Sequence, residues 1–371
     1  MEFLSEIFFA LTWKHFVMFA IGGTMIFLAV SRKIESALLL PMGFGAILVN
    51  LPHSAFLDGG AIEILYTIGF TAGELMPLLL FIGIGAMTDF SPLLSNPKLL
   101  AFGFFCQLGI FIVLPLAHSL GFSIPDAASI ASIGAADGPT AILVSHVLGS
   151  QYASSVTVAA YSYMALVPVI MPLTIRLLTT KKERKIRMDT DAKKVSKRKK
   201  ILFPILTSII VGLIVPASAP LIGFLMFGNL IRESGVLENL AESARTTLTN
   251  IITLLLGISV SFTLQADEFL KPQTILVLSL GLLAFILDCS CGILLAKFMN
   301  LFLKKKINPA AAAAGISAFP MASRIAQKEV LKEDDSNFIL MHSAGINVGG
   351  QIASVVAGGI LIQAARILGG M

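Results

Sequence analysis

The sequence predicts an all-α polytopic membrane protein with about ten transmembrane helices and two re-entrant broken hairpins, arranged as an inverted repeat. The first observation is composition. Of 371 residues, 56% are hydrophobic and 13% are charged, with a mean hydropathy of +0.87, whereas soluble domains carry about a quarter charged residues. The second is length, because apolar stretches able to cross about 30 Å of hydrocarbon recur from Phe16 to Leu368. The third is that two such stretches are interrupted by glycine, proline and polar residues.

The apolar stretches form two halves joined by a basic segment. We expect an N-terminal segment at 1–12, a first membrane repeat over 13–179, a basic linker over 180–200 and a second membrane repeat over 201–371. The expected spans and broken hairpins are, in order, 13–31, 36–50, 62–88, 98–122, broken hairpin 126–149, 152–179, 201–216, 217–231, 247–264, 274–303, broken hairpin 308–328 and 340–368.

The two halves share short motifs in the same order. Pro41, with an asparagine at Asn50, recurs as Pro220, with an asparagine at Asn229. The offsets between paired positions nearly agree, and they place the two broken hairpins opposite each other. With five full spans in each half, the second half is expected to be upside down relative to the first. Transporters built on this plan place their binding sites at broken helices.

The charged residues fix the expected orientation. Eleven basic residues lie between Lys181 and Lys200, within a net charge of +5. Such a run is compatible with nucleic-acid binding, but between membrane spans it is typical of the cytoplasmic side. We therefore expect no nucleic-acid partner, a linker on the inside and the acidic segments around Asp58 and Asp267 on the outside. The expected location is the inner (cytoplasmic) membrane, in contact with lipid.

Asp137 is the first candidate site residue. It lies in the broken stretch 129–145, where Gly134 and Pro139 oppose a continuous helix. An ionised carboxylate near the middle of a membrane costs several kcal/mol unless it is paired or hydrated. Unwound backbone and the hydroxyl of Thr140 would add oxygen atoms around it, which suits a small alkali cation or a proton. The alternative is an aspartate that only caps a helix.

The second broken segment supplies further candidates. Asn308, Ser317 and Ser323 offer oxygen atoms to a cation or a ligand. Arg324 offers a planar fork of donors that fits a carboxylate. Its alternative role is a cation that extends along the helix toward the cytoplasmic interface.

Four more polar residues lie within apolar spans. Asn347 is placed to complete a cation shell, or else to hydrogen-bond between helices. Tyr163 offers a phenol proton or a ligand oxygen, or else is a packed tyrosine. Asp288 and Glu74 are intramembrane acids that fit a proton or ion route, but neither has polar neighbours comparable to those of Asp137. The sequence does not assign their roles.

The residues themselves leave three classes of function open. The sequence has no phosphate-binding lysine motif, so the energy must come from a gradient or from a partner's chemistry. One class is a stand-alone secondary transporter, either a Na⁺/H⁺ antiporter or a Na⁺-coupled carboxylate symporter. Another is a subunit that couples a partner's reaction to transport. The third, a passive structural subunit, does not explain two matched helix breaks.

Four motifs resemble those of one known family, the membrane β subunit of the sodium-pumping decarboxylases that act on oxaloacetate, methylmalonyl-CoA or glutaconyl-CoA. These motifs occupy residues 83–90, 134–140, 161–168 and 345–349. The resemblance implies a decarboxylase subunit that decarboxylates carboxybiotin with consumption of a proton and couples this to Na⁺ export. The sequence does not indicate which acid or acyl-CoA is decarboxylated, nor how many ions are moved.

The resemblance also implies roles and partners. It assigns catalytic roles to Asp137, Tyr163 and Arg324, with Ser323 beside Arg324 at the carboxybiotin. It suggests Asp137, Asn308, Ser317 and Asn347 as Na⁺ ligands. The hydroxyl of Thr140, next to Asp137, is expected to join them. The expected partners are a biotin carrier subunit, a carboxyltransferase α subunit and a small membrane subunit of the γ/δ type, with a homotrimer of this chain.

Overall fold

The computed structural model describes residues 11–31, 33, 36–71, 75–188 and 194–369. All regular secondary structure in these ranges is helical. Glu74, residues 1–10 and the centre of the basic linker lie outside the described residues. The all-α prediction is therefore confirmed for the part of the chain that the structure describes.

The first half contains helices α1 to α10. Their bounds are α1 Trp13–Ser31, α2 Ser36–Val49, α3 Ala61–Tyr66, α4 Leu75–Met87, α5 Ser91–Ser95, α6 Leu99–Cys106, α7 Leu108–Ser119, α8 Ile124–Ser132, α9 Gly138–Val147 and α10 Ala153–Leu178. A π turn at Thr67–Thr71 follows α3, and a 3₁₀ turn at Ile133–Ala135 follows α8. The break between α8 and α9 lies in the predicted broken hairpin 126–149.

The linker and the second half contain helices α11 to α20. Their bounds are α11 Lys181–Arg184, α12 Lys197–Ile214, α13 Ala219–Ser234, α14 Glu238–Ser243, α15 Thr249–Val260, α16 Ala266–Phe269, α17 Pro272–Phe302, α18 Pro309–Ala312, α19 Met321–Leu331 and α20 Leu340–Gly369. A π turn at Ala244–Leu248 joins α14 to α15, and 3₁₀ turns lie at Pro216–Ser218, Ser261–Leu264 and Ala313–Gly315. The break between α18 and α19 lies in the second predicted hairpin.

Several helices are long and apolar enough to cross a membrane, which identifies a membrane protein. Among the described residues there are five: Trp13–Ser31, Leu99–Ser119, Glu238–Leu264, Pro272–Phe302 and Leu340–Gly369. The number rises to seven if the bent pairs Ala61–Phe70 with Leu75–Met87 and Ser155–Met164 with Leu166–Leu178 each count as one span. The second pair bends by 67°, and Pro168 contributes because it has no N–H to donate to the carbonyl of Met164. Ten spans remain a prediction.

Two asparagines make reciprocal contacts between the halves. The Nδ2 atom of Asn50, after α2, donates to the carbonyl of Leu264 at 2.7 Å. The Nδ2 atom of Asn229, on α13, donates to the carbonyl of Thr88 at 2.9 Å. Each asparagine thus holds the end of a helix from the other half. The predicted duplication accounts for this pairing, and the inverted repeat remains a prediction.

Ion pairs mark the two ends of the molecule. At the linker end, defined by residues 181–188 and 333–337, Arg184 pairs with Glu333 at 2.6 Å and Arg187 pairs with Asp334 at 3.0 Å. At the acidic end, defined by residues 14–15, 50–58 and 264–271, Lys14 pairs with Asp267 at 2.8 Å. Helix α17 runs from the acidic end to the linker end, where Lys297 donates to the carbonyl of Leu178 at 3.0 Å.

Candidate cation site at two broken helices

The break in the first hairpin is enforced by its backbone. After the 3₁₀ turn, Ala136 adopts the left-handed conformation with φ 52°, and Asp137 is extended with φ −131°. Helix α9 then begins at Gly138. A Cβ atom at Gly138 would lie 2.4 Å from the ring of Tyr161, so only glycine fits there. Pro139 stands in the first turn of α9, where its missing N–H costs nothing.

Asp137 is the polar centre of this break. Its side chain is buried, with 5% exposure. Thr140 Oγ1 and Ser354 Oγ both donate to the Oδ2 atom of Asp137, at 2.6 and 2.9 Å. A hydroxyl that donates its proton still has lone pairs to offer. The carboxylate and two hydroxyls therefore form a compact set of hard oxygen atoms, which we call the Asp137 cluster.

The second hairpin breaks next to the first. Helix α18 continues into the 3₁₀ turn at Ala313–Gly315, and Ile316 is extended with ψ 153°. The backbone N–H of Ser317 donates to the carbonyl of Ala135 at 3.1 Å, and Ser317 Oγ donates to the carbonyl of Gly350 at 3.1 Å. The two breaks are thus joined by a direct hydrogen bond, and α20 packs against both.

Asn347 lies on α20 beside the second break. Its Nδ2 atom donates to the carbonyls of Ala314 and Ile316 at 3.1 and 2.7 Å. Its Oδ1 atom is buried and has no hydrogen-bond partner among the described residues. Ser354 follows seven residues later on the same helix, about 10 Å along the axis at 1.5 Å per residue. The structure therefore places Asn347 near the Asp137 cluster but does not bring it into contact with Asp137.

Asn308 is placed elsewhere. Its Nδ2 atom donates to the carbonyls of Arg184 and Ile186 at 2.8 and 2.9 Å, and its Oδ1 atom accepts from the N–H of Ala310 at 3.0 Å. These contacts cap α18 and hold the linker. The structure does not bring Asn308 to Asp137, so this conformation gives no support to its predicted role as an ion ligand.

Two tyrosines near the site have different partners. Tyr163 donates its hydroxyl to the carbonyl of Leu278 on α17 and not to Asp137. The ring of Tyr161 instead lies against Gly138, and its hydroxyl is buried without a partner in the described part of the chain. Residues two apart on a helix point about 200° away from each other. The tyrosine beside Asp137 is therefore Tyr161, the first residue of the motif at 161–168, for which the sequence indicated no role.

Arg324 and Ser323 lie in the first turn of α19. Ser323 is buried and donates to the carbonyl of Pro320 at 2.8 Å, so its hydroxyl stabilises the turn. Arg324 is exposed and makes no hydrogen bond or ion pair within the described ranges. It stands seven residues before the end of α19 at Leu331, about 10 Å from that end. At this distance from the linker end, the exposed guanidinium of Arg324 has the geometry to bind a carboxylate.

Three further polar residues complete the surroundings of the breaks. Ser354 contacts Asp137 directly, Gln351 donates to the carbonyl of Ser317, and Gln107 donates to the carbonyl of Gly315 at 3.4 Å. The Oε1 atom of Gln107 is buried and unpartnered among the residues described. Sequence reasoning missed Ser354 and Gln107. The helical spacing of seven from Asn347 to Ser354 was the available signal for the first.

The comparisons with known proteins agree over nearly the whole chain. The family described as "Na⁺-transporting oxaloacetate decarboxylase beta subunit" matches residues 14–365. The chain is 44% identical over 381 residues to the methylmalonyl-CoA decarboxylase subunit beta of Propionigenium modestum, with 96% of each chain covered. It is 40% identical over 408 residues to the oxaloacetate decarboxylase beta chain of Klebsiella pneumoniae, with 94% of each covered.

A third relative acts on another acyl-CoA. The chain is 42% identical over 356 residues to the glutaconyl-CoA decarboxylase subunit beta of Acidaminococcus fermentans, which covers 96% of this chain and 94% of the relative. The resemblance predicted from the four motifs is thus confirmed. The chain belongs to the family of the Na⁺-transporting oxaloacetate decarboxylase β subunit.

Proposed function

We propose that this chain is the membrane subunit of a biotin-dependent decarboxylase complex, in which it decarboxylates carboxybiotin and couples the reaction to Na⁺ export. The observation that carries the proposal is the Asp137 cluster at a helix break hydrogen-bonded to a second break. Membership of the family supports it. A carboxylate with two hydroxyls suits Na⁺, and two joined breaks supply an element that can change shape.

The reaction at carboxybiotin requires one proton. The bond between the ureido nitrogen and the carboxyl carbon breaks, CO₂ leaves, and the nitrogen takes up a proton. In this proposal Arg324 binds the carboxylate of carboxybiotin, because its guanidinium is exposed and free of ion pairs in the described structure. Ser323 shapes the turn that presents Arg324. Tyr163, whose phenol reaches the α17 backbone, positions α10 against α17.

Coupling in this proposal rests on differential binding. The Na⁺-loaded Asp137 cluster and the empty one would favour different arrangements of the two hairpins. Because Ser317 bonds to Ala135, a change at one break acts on the other. Asn347, with its free Oδ1 atom, and Ser317 would join the ion shell in the arrangement that brings α20 closer.

The proposal includes partners and a location. The carboxyl group would arrive on a biotin carrier subunit loaded by a carboxyltransferase α subunit, with a small membrane subunit of the γ/δ type in the complex. The chain would form a homotrimer in the inner (cytoplasmic) membrane. The basic linker would face the cytoplasm, where Arg324 is approached from the linker end.

The test uses the assembled complex in inverted vesicles, where the linker side faces outward and the acid substrate is supplied from outside. Na⁺ uptake should start on addition of the substrate and stop on addition of avidin, which sequesters biotin. Asp137→Asn should abolish Na⁺-dependent decarboxylation, while Asp126→Asn, a buried acid bound to Ser150 and Gln151, serves as the matched control. Na⁺ movement that continues unchanged with avidin present would favour a stand-alone secondary transporter. Full activity and Na⁺ dependence in Asp137→Asn would leave only a passive structural role.

A further inference from the structure

Asp288 is a further buried acid, midway along the longest helix of the described structure. Helix α17 spans Pro272–Phe302, 31 residues, and Asp288 is fully buried near its centre. By rise per residue, Asp288 lies about 20–25 Å from each end of the helix. The Asp137 cluster does not include this residue.

The face of α17 that carries Asp288 touches both helix breaks. Ala284, one turn earlier, packs on Gly134 of the first break, where an added Cβ atom would lie 2.6 Å from that of Ala284. Gly292, one turn later, approaches the carbonyl of Ala312 before the second break. Positions four apart share a helix face. Asp288 therefore lies between the contacts of α17 with the two broken hairpins.

The Asp288 side chain faces the start of a third helix. Its Oδ1 atom accepts from the N–H of Ile110 at 3.1 Å, in the first turn of the twelve-residue helix α7. A Cβ atom at Gly109 would lie 2.3 Å from the same oxygen, so glycine lets the carboxyl approach the backbone. The Oδ2 atom is buried and has no partner among the described residues.

Two opposing effects act on the charge of Asp288. Complete burial favours the neutral acid, since an unpaired buried carboxylate is costly. The N–H groups and positive dipole end of α7 favour the carboxylate. The N–H donors of α7 therefore offset part of the cost of a charged Asp288, which a group that passes a proton on requires.

The same contacts favour a proton over a metal cation. The groups aimed at Oδ1 are N–H donors, which repel a cation. The titratable groups near Asp288 are the thiols of Cys106, Cys289 and Cys291, and the phenol of Tyr163 is held at Leu278, ten residues earlier on α17. Within the described ranges, no charged side chain is in contact with Asp288.

We propose, on the basis of the function proposed above, that Asp288 is the relay for the proton consumed in decarboxylation. The Asp288 O–H gives one proton toward the linker end, where it ends on the ureido nitrogen as CO₂ leaves. The Asp288 carboxylate then takes up one proton from the acidic end, so that Asp288 returns to its starting state and one proton is consumed in each turnover. Movement of the two breaks against Ala284 and Gly292 would open each path in turn.

Asp288→Asn is the decisive variant. The amide oxygen of asparagine can still accept from the N–H of Ile110, and asparagine caps helices as well as aspartate does, but the amide cannot carry the proton. Decarboxylation by the complex should fall on the order of 100-fold. The Na⁺ concentration for half-maximal rate should stay at the wild-type value, and the fall in rate on the alkaline side of the pH–rate profile, where Asp288 would lose its proton, should be absent. Asp126→Asn is the control and should keep the wild-type rate and the wild-type pH–rate profile.

Two further measurements separate a relay from a helix cap. The infrared difference spectrum on titration should contain a protonated-carboxyl band that is absent in Asp288→Asn. If Asp288→Asn does not assemble, Asp288→Glu, which retains an acid, should turn over with a shifted pH optimum. Wild-type turnover and an unchanged pH profile in Asp288→Asn, or in Asp288→Glu where only it assembles, would overturn the relay. Loss of Na⁺ dependence in wild-type vesicles would instead contradict the proposed function.

Discussion

The backbone N–H of Ser317 donates to the carbonyl of Ala135 at 3.1 Å, which joins the broken helix of the second half to that of the first. Ser317 also binds α20 through its hydroxyl, at the carbonyl of Gly350. One residue thus connects three elements at the candidate site. A change in the position of either break must break or move this bond, so the two hairpins form a single element for a bound ion to act on.

Gly350→Ala tests the close packing of α20 on the second break. An added Cβ atom at Gly350 would lie 2.2 Å from the carbonyl oxygen of Gly315, so the break must shift. We expect a loss of about 1–3 kcal/mol in stability and a large loss of Na⁺-dependent turnover. Thermal unfolding and turnover of the purified complex measure these effects.

The matched control for this substitution is Gly223→Ala on α13. A Cβ atom there would meet nothing within 4 Å. Its stability should stay the same or rise slightly, because alanine is the better helix former. Equal behaviour of the two variants would show that the contact at Gly350 does not constrain the break.

Ser354→Ala tests the Asp137 cluster without removing its charge. The variant deletes one of the two hydroxyls on Asp137 Oδ2. We expect the loss of this oxygen ligand to weaken Na⁺ binding by about 1.5 kcal/mol. The Na⁺ concentration for half-maximal decarboxylation should therefore rise about tenfold. Ser208→Ala, which removes a hydroxyl bound only to the carbonyl of Pro204, should leave that concentration unchanged. The decarboxylation rate of the complex, measured over a range of Na⁺ concentrations for Ser354→Ala and Ser208→Ala, tests this expectation.

The sequence could predict the breaks but only part of the site. Gly134 and Pro139 oppose a helix by their own backbone properties, so the first break was accessible without tertiary information. Thr140 followed because it lies within one turn of Asp137. Ser354 joins Asp137 from 217 positions away; its spacing from Asn347 indicates a shared helix face but not this contact.

The position of Asn308 and Tyr163 away from Asp137 has a physical reason. A polar side chain in an apolar segment must find partners, but the sequence does not show which ones. The Nδ2 atom of Asn308 donates to the backbone carbonyls of Arg184 and Ile186 in the linker. The partner of Tyr163 depends on its position around the helix, because α10 turns Tyr161 toward Gly138 and Tyr163 toward Leu278.

Asn229→Ala tests the reciprocal contacts between the two halves. The variant removes the bonds to the carbonyls of Gly85 and Thr88 and leaves them buried. We expect a loss of about 1–3 kcal/mol in the free energy of unfolding, measured by thermal unfolding in detergent. Asn50→Ala should cost a similar amount, since its contacts mirror those of Asn229. Asn96→Ala, at an exposed position, is the control, and a cost equal to that of Asn229→Ala would contradict the role of the pair.

The linker is held to the end of the second hairpin by charge, and Glu333→Gln tests this. Arg184 donates to Glu333 at 2.6 Å and holds the pKa of that carboxyl below its ordinary range through this hydrogen bond. A lowered pKa means that the contribution of the pair is complete above the ordinary value, about 4.3, and is lost as the pH falls through the lowered value. In the wild-type complex, amide exchange in residues 181–188, corrected for its intrinsic pH dependence, should therefore show equal protection at about pH 7 and about pH 5.

Glu333→Gln should lower this protection by the same amount at both pH values, because its side chain has no charge to offer Arg184. Tryptic cleavage after Arg184 and Lys185 should accelerate in the same variant. Glu238→Gln, at an exposed position on α14, removes one negative charge elsewhere and should leave exchange and cleavage at wild-type rates. Protection that fell between pH 7 and pH 5 in the wild type would contradict the role of the Arg184–Glu333 pair, because the pKa of Glu333 is lowered from its ordinary value. Within the described residues the two asparagines that bind the same carbonyls, Asn308 and Asn337, do not titrate, so they supply a floor of protection that Glu333→Gln should not remove.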